Sequence, residues 1–239
     1  MHLKVLTSVN QNQNNFLSEI PLEWVKTSGK GVSIGVIDTN MDANLCQNIK
    51  EHKLFGFNKN LTHGKSVVDV IVNRKVKGLA YESDLYFAGM ETTQSIDYDY
   101  LKDALSWISK FDLDVLNLSF AYKDDEPDIR ALLQEISQKT LIVCSYADSL
   151  SYPAKYDFTI SVGSKDMDEA DIITDGEFTD GILKLQGTSF SSAFIASLAC
   201  LAKSFEKTIT RDIFLVRICG AVKRDLIKRK YNRQTNIRL

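Results

Sequence analysis

Proline is scarce in this chain, at three among 239 residues, and histidine equally so. No stretch rich in Pro, Ser or Gly divides the sequence, which excludes a linker and favours one large domain. Charge of one sign is missing too. Lys and Arg number 29 against 31 Asp and Glu, a net charge of −2, so a nucleic-acid partner is not expected. No apolar run reads as long enough to cross a bilayer, which argues against a membrane partner. The first residues, MHLKVLTSVNQNQNNF, have no apolar segment of the kind a signal peptide needs. Cys46, Cys144, Cys200 and Cys219 lack any paired spacing. They are neither a disulfide set nor a zinc site, and read as reduced core residues of a cytoplasmic protein. No metal and no cofactor is expected. What the chain does have is 44% hydrophobic residues, enough for a sizeable core.

Those residues come in short runs. GVSIGVID (31–38) is apolar, opened by Gly and closed by Asp, as a buried parallel strand should be. DLYFAGM, DVLNLSF, TLIVCSY and FTISVG repeat the pattern at 84, 114, 140 and 158. Between them HGKSVVDVIVNR, YDYLKDALSWISKF and EPDIRALLQEISQ have helical periodicity, the last opened by a Pro. Alternation of this kind predicts an α/β fold, a parallel sheet with helices on both faces. Function in such sheets collects at the C-terminal strand ends. Asp38, Ser119 and Asp148 lie at or just past such ends, and His63 begins a helix.

Near the C-terminal third, GTSFSSAFIASLACL (187–201) runs from a polar cluster straight into an apolar helix. Thr188 or Ser189 could simply be the N-cap. Alternatively Ser189 is a nucleophile, with the helix amides facing a developing negative charge. Asp38 reads as a turn residue or as a buried carboxylate, and His63 as a helix-start residue or as a base. Taken together they offer a known chemistry. A serine hydroxyl needs a neutral imidazole to take its proton, and the imidazole needs a carboxylate to fix its tautomer. A place in the first turn of a helix is expected to help keep His63 neutral.

With the order Asp, His, Ser, and with GKGVSIGVIDT, HGKSVVDVI and GTSFSSAFIASLACL around the three, the chain resembles the subtilisin-like serine proteases, the subtilases. DVLNLSF and SYPAKYDFTISVG extend the resemblance from about Ile20 past Leu201. It implies a three-layer subtilisin-like fold and an endopeptidase acting through an acyl-enzyme on a peptide or protein substrate. Asp38 would orient, His63 act as base and acid, and Ser189 attack. Ser119, Phe120 and Ala121 would form the wall against which an extended substrate lies. Residues 1–19 read as an N-terminal extension and 20–239 as the catalytic domain, ending in a basic helix and tail. That basic end reads as a solvated helix face or a docking surface for an acidic partner.

The sequence also departs from the family pattern. Asn40 stands where Gly is usual, and Ser191-Ser192-Ala193 replace a small residue and Pro. The span before GTSFSS is short, and its aspartates (Asp166, Asp168, Asp171, Asp175, Asp180) lack calcium-loop spacing and read as solvated turns. Because IPLEWVKTSGKGV already resembles the start of the catalytic domain, no cleavable prodomain is expected. Most consequentially, Asp148 occupies the place of the asparagine whose amide donates to the oxyanion. Two functions follow. One is a protease with a cleft narrowed by Phe120 and Ala121, by analogy a processing enzyme for ribosomally made peptides. The other is a pseudoenzyme that binds a peptide or partner without turnover.

Overall fold

The computed structural model describes residues 20–219 apart from 57–61, 75–77, 92–95, 148–151, 165–166, 168, 175–176 and 180–183. Seven strands form one sheet: β1 (Ser33–Thr39), β2 (Ile49–Phe55), β3 (Asp84–Met90), β4 (Val115–Leu118), β5 (Leu141–Ser145), β6 (Ile160–Gly163) and β7 (Ile172–Ile173). Their order is β2-β3-β1-β4-β5-β6-β7, and every pairing is parallel. β8 (Glu177–Thr179) and β9 (Lys184–Gln186) make a separate antiparallel pair.

Alternate strand residues face opposite layers, as the period of two demands. On one side Ile34, Val36, Phe87, Val115 and Val143 pack beneath α2 (His63–Val72) and α5 (Thr188–Phe205). The short α1 (Leu22–Val25) and the C-terminal α6 (Arg211–Cys219) complete that layer, and Trp24 stacks on Phe214 at 5.5 Å. On the other side Ile37, Ala88, Leu116, Leu118 and Ile142 meet α3 (Tyr98–Ile108) and α4 (Pro127–Ser137). The expected three-layer α/β architecture is therefore present, with the five strands and three helices read from the sequence.

The strand order places the site. The chain runs from β1 out to β2 and β3 on one side, then returns to β4 on the other. The reversal opens a crevice at the C-terminal ends of β1 and β4, where Asp38 and Ser119 stand.

Two sequence expectations change. α5 has the 18 residues and apolar composition that would let a helix cross a membrane. It is 72% buried inside the protein, however, which makes it the central core helix. Asp171 is no solvated turn residue: its side chain is 8% exposed and ion-paired with Arg211 at 3.0 Å. The other four aspartates of that span and the basic residues after Cys219 lie outside the described residues, as does the N-terminal extension 1–19. Cys46, Cys144 and Cys200 are free thiols, the last two buried. Burial pushes both of their pKa values up.

Candidate active site

β1 delivers Asp38 to the crevice with 3% exposure. Its Oδ1 accepts from His63 Nδ1 at 2.7 Å and from the Thr39 amide at 2.6 Å. Oδ2 is buried with no protein partner. His63 opens α2, whose start is held by a bond from the Gly64 amide to Thr39 Oγ1 at 2.9 Å. Glycine is required there because a Cβ would stand 2.0 Å from the Thr39 carbonyl oxygen. The helix can thus approach β1 closely enough for the imidazole to reach the carboxylate.

The expected influence of the helix start on His63 is outweighed. Its pKa is raised, because the Asp38 hydrogen bond and charge favour the imidazolium more than burial disfavours it. The bond also fixes the tautomer: with Nδ1–H donated to Asp38, Nε2 carries the lone pair.

Ser189 enters from the same layer as His63, in the first turn of α5. Here the reading of Thr188 or Ser189 as the N-cap does not hold. The N-cap is Gly187, and no side chain caps the helix. The Ser189 hydroxyl donates instead to the Ser119 carbonyl at 2.9 Å. Its neighbour Phe190 lies against the His63 ring, with centroids 5.7 Å apart, so Ser189 and His63 share one side of the crevice.

Sequence reasoning missed the polar clamp beneath this turn. Asn117 Nδ2 donates to Ser119 Oγ at 2.8 Å, and Ser119 Oγ donates to the Ser189 carbonyl at 2.9 Å. Ser192 Oγ lies 3.0 Å from Ser119 Oγ and donates to the same carbonyl at 2.9 Å. All three side chains are buried, so each hydroxyl has to find a protein partner. The Ser119 side chain therefore faces inward, and Phe120 and Ala121, which follow it, are half-buried. The three serines of SFSS were a signal that could have been followed, since a serine inside an apolar helix needs somewhere to bond.

Two residues after Phe120 a run of tyrosines begins. The Tyr122 ring meets Tyr98 at 5.7 Å and Tyr152 at 6.2 Å, and Tyr152 meets Tyr156 at 5.1 Å. Tyr122 and Tyr152 also exchange backbone hydrogen bonds of 2.8 Å. Asp148 lies outside the described residues.

The sequence profile of the subtilase family matches residues 29–175, a span containing Asp38 and His63. The chain belongs to the subtilase family. This subtilase is 24% identical over 242 residues to the intracellular serine protease of Paenibacillus polymyxa, covering 80% of this chain and 74% of that protein. Identity to the major intracellular serine protease of Bacillus subtilis is also 24%, over 236 residues, with coverages of 78% and 73%. Among solved structures, the prenylagaramide maturation protease PagA superposes with a TM-score of 0.65 at 17% identity, over 81% of this chain and 83% of that one. A cold-adapted subtilisin-like serine proteinase gives a TM-score of 0.62, also at 17% identity, over 79% and 81%. Both establish a common fold.

Proposed function

We propose that this subtilase is a serine endopeptidase, working through an acyl-enzyme on a narrow set of extended peptides. The observation that carries the reading is the 2.7 Å bond between His63 Nδ1 and buried Asp38, made by a ring that packs on Phe190, the residue after Ser189. In the reaction the Ser189 hydroxyl turns from the Ser119 carbonyl to His63 Nε2 and gives up its proton as Oγ bonds the scissile carbonyl carbon. The oxygen of that carbonyl becomes an oxyanion beside the first-turn amides of α5. His63 then protonates the departing amine, the C–N bond breaks, and water repeats the sequence to release the acyl group. Asp38 stays ionised and steadies the imidazolium. Asp148 is proposed as the residue opposite the oxyanion, and Phe120 and Ala121 as the wall of the cleft.

Two similarities supply the narrower reading. Relatives named intracellular serine proteases support action inside the cell. The fold shared with a maturation protease supports processing of a ribosomally made peptide precursor. Phe120 and Ala121 at the proposed cleft wall favour a restricted choice of side chains over general digestion. A fluorophosphonate probe tests the activity: the wild type should be labelled at Ser189, and Ser189→Ala or His63→Ala should not. The second reading, a peptide-binding pseudoenzyme, is favoured by one feature, the Ser189 hydroxyl bonded to Ser119 instead of His63. A folded wild type that resists the probe from pH 5 to 9 would establish it.

A further inference from the structure

Gly187 precedes Ser189 by two residues and has φ 130° and ψ 167°, a conformation essentially confined to glycine. Among the described residues, an added Cβ there would meet nothing within 4 Å. Its carbonyl accepts hydrogen bonds from the Phe190 and Ser191 amides at 3.2 Å each, and from Ser191 Oγ at 3.3 Å. Because the peptide is planar and trans, pinning that carbonyl aims the Thr188 N–H in the opposite direction. The orientation of the nucleophile turn therefore depends on these bonds.

Ser191 Oγ is itself held from outside the helix. Thr174 Oγ1 donates to it at 2.6 Å, with both side chains buried. Thr174 follows β7, and its amide donates to the Gly163 carbonyl of β6 at 3.1 Å. Three residues earlier Asp171 accepts from the Ser161 amide and hydroxyl of β6 and from Arg211 of α6. The relay Thr174–Ser191–Gly187 thus ties the nucleophile turn to a braced edge of the sheet.

We propose that Thr174 and Ser191 are positioning residues for this reaction, fixing the turn that presents Ser189 and its neighbouring amides. This rests on the reading of Ser189 as the nucleophile. Neither residue touches the reacting atoms. Losing the relay should lower the rate of acylation and leave substrate binding unchanged.

The test compares Thr174→Val, Thr174→Ser, Ser191→Ala and the double variant Thr174→Val/Ser191→Ala in the full chain. Readouts are kcat, KM, melting temperature and amide hydrogen exchange. Thr174→Val should lower kcat about tenfold with KM within about twofold, the scale of one buried hydrogen bond. Thr174→Ser keeps the hydroxyl and should keep kcat. Ser191→Ala should resemble Thr174→Val, and the double variant should be no worse than the worse single. Exchange at Thr188–Ser191 should quicken about tenfold in Thr174→Val, with β1 and β4 unchanged. An unchanged kcat in Thr174→Val, or a Thr174→Ser variant as impaired as Thr174→Val, overturns the proposal. If the wild type proves inert to the fluorophosphonate, the nucleophile reading fails separately. Exchange then decides: unaltered protection of the turn in both Thr174→Val and Ser191→Ala refutes the relay, and selective loss supports it.

Discussion

The Gly64 amide donates to Thr39 Oγ1 at 2.9 Å, fastening the start of the His63 helix to the end of the strand that bears Asp38. Since a Cβ on Gly64 would come within 2.0 Å of the Thr39 carbonyl oxygen, Gly64→Ala must push α2 outward. A displacement near 1 Å at a reacting group costs about 100-fold in rate. Gly64→Ala should therefore lose kcat/KM on that scale, with a lower melting temperature. Retention of more than a tenth of wild-type kcat/KM in a folded variant would show that the helix start does not set the His63 position.

Two histidines should act oppositely on pH behaviour. The Asp38 hydrogen bond raises the His63 pKa, so the folded state binds its proton more tightly than the unfolded chain. That contribution to stability is full below the unfolded pKa, about 6.5, and is lost as pH rises through the higher folded value. Catalysis runs the other way, since only neutral His63 accepts the Ser189 proton, and kcat/KM should climb through that raised pKa. His52 on β2 has a lowered pKa because burial disfavours its charge, with Asp42 only partly offsetting this. Its Nε2 is buried without a partner, and its ring stacks on Phe87 at 5.7 Å. Stability from neutral His52 is present above about 6.5 and is lost as pH falls towards the lower folded value. Melting curves of Ser189→Ala from pH 5 to 8 should show both slopes. Adding Asp38→Asn should remove the fall on the alkaline side, and adding His52→Phe the fall on the acid side. Identical pH profiles in all three proteins would contradict both assignments.

Much of this arrangement was legible because its signals are local. The runs 31–38 and 114–120 are mostly apolar, as strands covered on both faces must be, and both were found. β2 was missed because it is an edge strand: Lys50, Glu51, Lys53 and Leu54 are exposed, and no apolar run marks it. Asp38, His63 and Ser189 stood out by residue type and chain order; the fold bonds His63 to Asp38 and packs Phe190, the residue after Ser189, on the His63 ring. The Asn117–Ser119–Ser192 clamp was not legible, because its members lie up to 75 positions apart and meet only after α5 packs on β4. Asp171 was misread for the same reason. An aspartate in a polar turn looks solvated until Arg211, forty residues later, packs over it.

That pair gives a stability prediction. Asp171 accepts from Ser161 and Arg211, while Arg211 Nε also donates to the Thr159 carbonyl at 2.6 Å. Removing one member of a buried pair leaves a desolvated charge, at a cost of about 3–5 kcal/mol. Arg211→Met should lower the melting temperature by several degrees or more. Asp171→Asn in the same chain should recover part of the loss, because the stranded charge disappears. A melting temperature unchanged by Arg211→Met would return Asp171 to the class of solvated turns.

Asp148 offers the sharpest test of the chemistry. If it faces the oxyanion in place of an asparagine, its ionised form is worse than a missing donor. Loss of the asparagine donor in subtilisin raises the barrier by about 2.7–4 kcal/mol. Two unit charges about 3 Å apart add a repulsion of roughly 5 kcal/mol at an effective dielectric near 20. Protonated Asp148 reverses the effect, because a neutral carboxylic acid has an O–H to donate. His63 must lose its proton for the same step, and its raised pKa delays that loss. The enzyme is thus caught between two requirements, and a weak activity with a mildly acidic optimum is expected. Asp148→Asn supplies a donor that does not depend on pH. Turnover at pH 8 should rise about tenfold or more, and the optimum should move upward until His63 alone sets the acid limb. Should Asp148→Asn be no faster than wild type at pH 8, the oxyanion is received elsewhere, and the first-turn amides of α5 become its principal donors.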